Sequence, residues 1–174
     1  MIGEEWFEIV DDEDRVIGRA PRSACHGNPD LIHRVAHVLV VNRDGHILLQ
    51  KRSMTKDVQP GRWDTSVGGH LDPGEGYRVA ALREMREELG ICDVPIEFLY
   101  RSRIRNDFES ENIATFFTRY DGEICFDPVE IDAVRFFSAE EIDGRLGQGF
   151  FTPNFEEEWA LYSRWCQTQA CEVL

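Results

Sequence analysis

Short apolar segments separated by turn residues predict a protein that is rich in β-strands. Residues 35–41 and 46–51 are apolar segments joined by the turn sequence Asn42-Arg43-Asp44-Gly45, which is typical of a β-hairpin. Residues 6–11 and 15–19 flank the acidic turn 12–14 and predict a second hairpin. Further strands are predicted at residues 96–105, 112–120 and 134–137.

Helices are predicted at fewer places. The clearest covers residues 76–90 and ends at Gly90, a residue type suited to a helix C-cap. Ser138 and Glu141 form a capping-box pair at the start of a short helix reaching Ile142, and residues 155–169 predict the last helix. No repeat or linker-like segment divides the sequence, so we expect one domain over residues 1–174. Strands with few helices predict the α/β (α+β) class, a sandwich around a mixed sheet.

The composition is that of a folded, strongly acidic protein. The 174 residues include 33 acidic and 19 basic ones, for a net charge of −14, and 42% are hydrophobic. This charge argues against binding to nucleic acids or anionic membranes, but not against a small anionic ligand held through a metal ion. No secretory signal or membrane span is expected from the apolar runs. Five cysteines without a CxxC pair predict reduced thiols and a cytoplasmic protein.

The helix predicted at residues 76–90 carries a cluster of carboxylates. Glu84, Glu87 and Glu88 are spaced i, i+3 and i+4, which places them on one face within a single turn. The opposite face carries the apolar residues expected to be buried, Val79, Leu82, Met85 and Leu89. A solvated acidic face is the simplest interpretation of the three carboxylates alone. The repulsion between them is relieved if a cation binds, and oxygen ligands favour Mg²⁺ or Mn²⁺.

The residues around this helix resemble the Nudix box. Gly69 is followed after five residues by Glu75, and after seven more by the run Arg83-Glu84-Met85-Arg86-Glu87-Glu88-Leu89-Gly90-Ile91, which fits the box at every defined position. The resemblance implies the Nudix fold, an α/β/α sandwich around a mixed β-sheet. It also implies a metal-dependent hydrolase that cleaves a diphosphate linked to another group, by attack of water on phosphorus.

The resemblance also implies roles for individual residues. Glu87 and Glu88 match metal ligands, and Glu84 matches a ligand or the general base. Arg83 matches the residue that orients these glutamates, and the Gly68 carbonyl matches a backbone metal ligand. Structural positions of the box are matched by Gly69, Glu75 and Gly90. Glu130, before the last predicted strand, is a weaker candidate base, and a surface carboxylate is the preferred interpretation.

A wider part of the chain resembles the type I isopentenyl diphosphate isomerases, which share the Nudix fold. The similarity runs from His26 to Ile91 and resumes at residues 109–116 and 151–153. In those isomerases three histidines and two glutamates hold one metal. The matching residues here are His26, His33, His70, Glu109 and Glu111. The resemblance therefore implies a second divalent metal site, and its mixed nitrogen and oxygen ligands would admit Mn²⁺, Zn²⁺ or Mg²⁺.

The chain departs from the isomerases at the residues of isomerisation. Gly68 stands where they have a catalytic cysteine, Asn154 where they have a tryptophan, and Ile104 nearest to their tyrosine. Glu84, a residue of the hydrolytic box, replaces their arginine. We therefore interpret the protein as a hydrolase on an isomerase-like scaffold. An isomerase of isoprenoid diphosphates and a non-catalytic ligand-binding module are the alternatives.

Candidate substrate-binding residues lie outside the box. Arg52 and Lys56 match isomerase positions that grip the diphosphate, although solvated surface cations would look the same. Arg101, Arg103 and Arg105 alternate along a predicted strand and either complement a phosphate or face solvent. For Trp63, Trp159 and Trp165, core packing is favoured over stacking on a base. The expected partner is a small-molecule diphosphate, and a homodimer is compatible with the sequence without being supported by it.

Overall fold

The computed structural model describes residues 4–56 and 58–172, with side chains through Gln169. The strands are β1 (Trp6–Val10), β2 (Val16–Pro21), β3 (Ile32–Val41), β4 (Ile47–Arg52), β5 (Trp63–Asp64), β6 (Val67–His70), β7 (Glu97–Arg105), β8 (Ser110–Arg119) and β9 (Ile131–Phe137). The helices are α1 (Arg22–Cys25), α2 (Tyr77–Leu89), α3 (Ala139–Asp143) and α4 (Pro153–Glu172). Within these described ranges, no helix is both long and apolar enough to cross a membrane.

The main sheet is mixed and divides into two groups of strands. In the first group β3 pairs parallel with β8 and antiparallel with β6, and β7 adds antiparallel to β8. In the second group β4 pairs antiparallel with both β5 and β9. Among the described residues, β3 and β4 are paired at Val41 and Ile47 alone. The two groups therefore diverge from the turn at residues 42–45, and the space between them forms a cleft, which we call the fork.

Helices cover the two faces of this sheet, which confirms the predicted mixed α/β architecture. One face of β3 and β8 packs against α2 through residues such as Ala36, Val38 and Phe116. The other face packs against α3 and α4, where Leu49, Phe137, Ile142, Phe155 and Trp159 form a second core cluster. Side chains alternate across a strand, so Leu48 and Leu49 belong to different clusters.

The buried face of α2 differs from the prediction. Met85 and Leu89 are buried as expected, but Val79 is 60% exposed and Leu82 is 37% exposed. The buried stripe consists instead of Tyr77, Ala80, Ala81, Met85 and Leu89. Alanine side chains let the helix approach the sheet closely, so the contact is centred on Ala80 and Ala81. Glu84 and Glu88 continue the row that starts at Ala80 and therefore point toward the edge of the sheet.

Segment boundaries were less predictable than segment types. The hairpins, the last helix and the capping box at Ser138 are confirmed. Residues 63–70, which carried no strand prediction, contain β5 and β6, while β3 and β9 begin three residues earlier than predicted. Short strands with two adjacent glycines, such as Gly68 and Gly69 in β6, lack the β-branched alternation that signals a strand.

The arginines of β7 hold the N-terminal hairpin. Arg101 donates to the Asp14 carboxylate at 3.1 Å, and Arg103 donates to the Asp12 carbonyl at 2.7 Å. Arg105 turns toward its own sheet and bonds the carbonyl of Glu111. Arg101 and Arg103 thus dock the hairpin turn.

Candidate active site and metal centres

The box begins where the chain crosses the fork. After β5 has paired with β4, Ser66 links the two groups of strands: its hydroxyl donates to the Leu48 carbonyl at 2.5 Å and accepts from the Val40 amide at 2.9 Å. β6 then pairs with β3, which brings Gly68 opposite His37 and His70 opposite Val35. Gly68 and Gly69 therefore lie at the edge of the fork, directly before the turn that leads into α2.

A tight turn and an arginine position the start of α2. The Glu75 amide donates to the Asp72 carbonyl at 2.9 Å, and Gly74 between them has a φ of +85°, as a type II turn requires. The Glu75 carboxylate accepts from the Asp72 amide and from two nitrogens of Arg83, at 3.0 and 2.8 Å. Burial alone would raise the pKa of Glu75, but these hydrogen bonds lower it below its usual value.

Arg83 connects the turn to the carboxylates of the helix. Its Nη2 also donates to the His70 carbonyl at 2.9 Å, while Nη1 donates to Glu84 at 2.6 Å and to Glu87 at 3.3 Å. The guanidinium thereby fixes two box glutamates in relation to β6. The structure therefore places Arg83 between Glu75 on one side and Glu84 and Glu87 on the other.

Gly69 provides the space that Glu84 occupies. A Cβ atom on Gly69 would lie 2.0 Å from Cδ and 2.3 Å from Oε1 of Glu84, far inside van der Waals contact. Gly90 serves a different purpose: its φ of +67° ends α2 in the left-handed conformation, and its amide bonds the Arg86 carbonyl. Glycine is thus required at position 69 and at position 90 for different structural reasons.

Glu88 is the carboxylate with the strongest need for a cation. Gln50 donates to it at 2.9 Å, and no Lys or Arg nitrogen in the described part of the chain lies within 4.0 Å of it. Burial and the nearby Glu84 carboxylate raise the pKa of Glu88 to about 8, and burial also raises the pKa of Glu84. Glu87 is 52% exposed at the mouth of the fork. Three carboxylates, one of which is a partly buried group without a cationic partner among the described residues, fit a hard divalent cation.

The histidines of the second predicted site converge. One ring nitrogen each of His26, His33 and His70 lies within 4.8 Å of the others. The Glu111 carboxylate lies 3.4 Å from Nε2 of His33 and 3.7 Å from Nε2 of His70. All three Nε2 atoms are buried and lack a good hydrogen-bond partner among the described residues. Buried polar atoms are normally satisfied, so this donor set fits a metal ion.

Neighbouring groups orient these imidazoles. Nδ1 of His33 lies 3.3 Å from the Leu31 carbonyl, which leaves Nε2 free to act as a ligand. Phe7 of β1 stacks on His70, with ring centroids 4.2 Å apart, and shields the cluster. Burial lowers the pKa of His26 to about 4 and also lowers the pKa of His70, which keeps neutral rings available. Although burial raises it, the pKa of Glu111 is lowered by the histidines.

Glu109 lies close to this cluster without being among the convergent histidine ligands. Glu109 is 9% exposed, and burial together with the Glu111 charge raises its pKa. The structure therefore brings together four of the five predicted residues and places the fifth beside them.

The predicted phosphate-binding cations are engaged with protein groups. Arg52 donates to the Val58 carbonyl and to Asp64 at 3.3 Å, and Lys56 lies 2.9 Å from the Glu130 carboxylate. Glu130 is exposed. Both cations lie at the second wall of the fork, on and after β4. The tryptophans pack as expected: Trp63 meets Phe137 edge to face, Trp165 stacks on Tyr162, and Trp159 donates to Asp143.

Sequence reasoning missed a buried charged pair between the sheet and α4. Nδ1 of His37 lies 3.0 Å from the Glu158 carboxylate of α4, and Thr115 donates to the other carboxylate oxygen at 2.9 Å. Although burial lowers it, the Glu158 charge raises the pKa of His37 to about 9, and His37 in turn lowers the pKa of Glu158. A histidine inside an apolar strand and a glutamate on a helix at the position of core residues were the available signals.

Comparison with known proteins assigns the family. Residues 31–155 match the NUDIX domain model, well over half of the chain. The chain belongs to the Nudix hydrolase family. An uncharacterized Nudix hydrolase of Yersinia pestis is 36% identical over 160 residues, covering 91% of this chain and 85% of the relative. The uncharacterized Nudix hydrolase YfcD of Escherichia coli K12 is 33% identical over 164 residues, covering 92% and 87%.

A solved structure gives the same result for the fold. The crystal structure of DR0079 from Deinococcus radiodurans superposes with a TM-score of 0.78 at 25% identity, covering 90% of this chain and 98% of that protein. The Nudix membership predicted from the box is therefore confirmed. None of these relatives supports the isomerase-like subgroup.

Proposed function

We propose that this Nudix protein hydrolyses the diphosphate linkage of a nucleoside diphosphate derivative or another organic diphosphate. Glu84, Glu87, Glu88 and the Gly68 carbonyl would hold Mg²⁺ or Mn²⁺. The observation that carries the proposal is Glu88, a partly buried carboxylate without a cationic partner, beside Glu84 and Glu87. A divalent metal supplies charge neutralisation for the phosphates and lowers the pKa of a bound water.

The chain's own residues would perform the remaining tasks. Arg83 holds Glu84 and Glu87 in place through hydrogen bonds of 2.6 and 3.3 Å. Glu84 or Glu88 accepts the proton of the attacking water, since both carboxylates have raised pKa values. Arg52 would leave Asp64 and Lys56 would leave Glu130, and both cations would then bind phosphate oxygens of the substrate. One domain, residues 1–174, would carry all of these groups.

A product assay tests the proposal. The wild type is incubated with Mg²⁺ and then Mn²⁺ and a panel of nucleoside diphosphates, nucleoside triphosphates, nucleotide sugars, dinucleoside polyphosphates and isopentenyl diphosphate. We expect release of phosphate or nucleoside monophosphate. Glu87→Gln should lower kcat at least about 100-fold, because several kcal/mol of charge stabilisation depend on the metal. Glu97→Gln, the same change at an exposed site on β7, is the matched control.

Other outcomes would identify a different activity. Conversion of isopentenyl to dimethylallyl diphosphate without release of phosphate would replace the hydrolase by an isomerase, and would require an acid other than a residue at Gly68. Binding of a diphosphate with no turnover in either the wild type or Glu87→Gln would instead indicate a ligand-binding module.

We also propose that His26, His33, His70 and Glu111, with Glu109 beside them, bind a second divalent metal. Three orphaned Nε2 atoms support this site. Its nitrogen-rich ligands favour Zn²⁺ or Mn²⁺ over Mg²⁺. The protein is stripped with EDTA, loaded with Zn²⁺ and analysed for bound metal and Tm. His33→Gln should lose one bound metal per chain and the accompanying rise in Tm, whereas His46→Gln, at a surface turn, should lose neither. Equal metal content in both variants would contradict the site.

A further inference from the structure

The pair formed by His37 and Glu158 lies between the sheet and α4. His37 is 8% exposed and Glu158 is 5% exposed. Both oxygens of Glu158 are engaged, one by Nδ1 of His37 at 3.0 Å and the other by Thr115 at 2.9 Å. In the described residues, His37 is the cation that this buried carboxylate has within 4.0 Å. The ring is therefore held in one orientation by a partner that is itself fixed.

A buried ion pair such as this one is weak evidence for a role in stability. Two buried charges lose their hydration, and apolar residues of similar volume usually replace such a pair without loss of stability. Nδ1 is the ring nitrogen that lies against Glu158, and no hydrogen bond to Nε2 of His37 is found within the described part of the chain. One donor of a charged ring is thus left for a group outside the protein.

The unused nitrogen faces the fork at Gly68. His37 and Gly68 are directly opposite in the β3–β6 pairing, and a Cβ atom on Gly68 would lie 3.3 Å from Nε2. Because residue 68 is glycine, it places no side chain of its own over this edge of the ring. A small cavity of about 20 Å³, room for about one water-sized group, lies beside the pair, with Ser102, Ile113 and Asn154 in its wall.

We propose that His37 is a substrate-binding residue of the hydrolase, donating a charge-assisted hydrogen bond from Nε2 to an oxygen of the diphosphate, and that Glu158 is its positioning residue. The inference rests on the proposed function, in which the Gly68 carbonyl would be a ligand of the metal that binds the same diphosphate. A phosphate oxygen complements an imidazolium N–H in both charge and hydrogen bonding. With Nδ1 occupied by Glu158, Nε2 is the only nitrogen of the ring that can serve.

The direct test is NMR of the histidine ring nitrogens. The probe is imidodiphosphate with Mg²⁺, since its P–N–P bridge resists hydrolysis. We expect the Nε2 resonance of His37 to shift on titration while that of His46 stays in place. This measurement uses the wild type and does not depend on the folding of a variant.

Variants measure the size of the effect. His37→Phe keeps a ring without a donor, His37→Gln keeps a neutral donor, and Glu158→Gln keeps the shape of the positioning residue. We expect imidodiphosphate to bind about 10- to 100-fold more weakly to His37→Phe, with partial recovery in His37→Gln. Glu158→Gln should raise KM for the hydrolysed substrate, and His46→Gln should match the wild type.

Two failures can be told apart. If the wild type hydrolyses no diphosphate, the proposed function fails, and the NMR titration alone decides the role of His37. If the wild type hydrolyses its substrate but the Nε2 resonance stays in place and His37→Phe binds imidodiphosphate normally, the inference is overturned.

Discussion

The space at Gly69 gives a sharp prediction about the box. In Gly69→Ala, the added Cβ would lie 2.0 Å from Cδ of Glu84, whereas ordinary contacts begin at 3.4 Å. The carboxyl must therefore move by more than 1 Å and give up its 2.6 Å hydrogen bond with Arg83. A misplacement of about 1 Å in a catalytic group costs about 100-fold in rate. We expect kcat/KM to fall by about that factor and Mn²⁺ to bind more weakly.

The same substitution should leave stability nearly unchanged. Gly69 has an ordinary negative φ, so alanine gains about 0.4–1 kcal/mol by restricting the unfolded chain. This gain offsets much of the lost, partly exposed Arg83–Glu84 bond, which is worth about 1 kcal/mol. The control is Gly45→Ala in the β3–β4 turn, where a φ of +79° makes alanine cost about 1–2 kcal/mol. The assays are urea unfolding, Mn²⁺ binding by EPR, and kcat/KM. Wild-type Mn²⁺ affinity and turnover in Gly69→Ala would refute the reasoning.

Further predictions concern the charged groups of the fork. In EDTA, Glu88→Gln should unfold at a higher urea concentration than the wild type at pH 8 but not at pH 4.5. The pKa of Glu88 in the folded state is about 8, so the wild type loses stability as pH rises between these values. Equal urea midpoints at pH 8 would contradict this prediction. Arg83→Lys should lower kcat/KM about 10- to 100-fold, since lysine cannot bond Glu75 through two nitrogens, and unchanged kinetics would count against an orienting role. The free energy of unfolding of the wild type, relative to that of His37→Phe, should fall as pH rises from 6.5 to 9. Over this interval an unfolded histidine has lost its proton, whereas folded His37 keeps it until its raised pKa of about 9. A difference that stays constant over this interval would exclude the ion pair.

The helix signals in the sequence were reliable because they are local. Gly90 and the pair Ser138 and Glu141 cap their helices as predicted, since capping depends on residues a few positions apart. The convergence of His26, His33 and His70 was available only through a family resemblance. His26 follows α1, His33 lies in β3 and His70 in β6, and nothing in their spacing along the chain places them together.

The features that the sequence did not predict depend on tertiary contacts. Spacing alone assigned Val79 and Leu82 to the core, but the depth of contact at Ala80 and Ala81 decides which side of α2 is buried. The partner of His37 is Glu158, more than a hundred residues away on α4, so no local pattern connects them. Arg101 and Arg103 were ambiguous because their acceptors belong to the N-terminal hairpin.

Ser66 gives the fork a fixed opening angle. Its single hydroxyl satisfies the backbone of Val40 on one side and of Leu48 on the other, in a place with no access to water. Moving the walls apart would leave a buried amide and a buried carbonyl without hydrogen bonds, and moving them together would leave no room for the Ser66 side chain. The two walls therefore keep a fixed separation and do not close on a ligand. A ligand that enters therefore meets walls whose separation is already set, and little free energy is lost to ordering them.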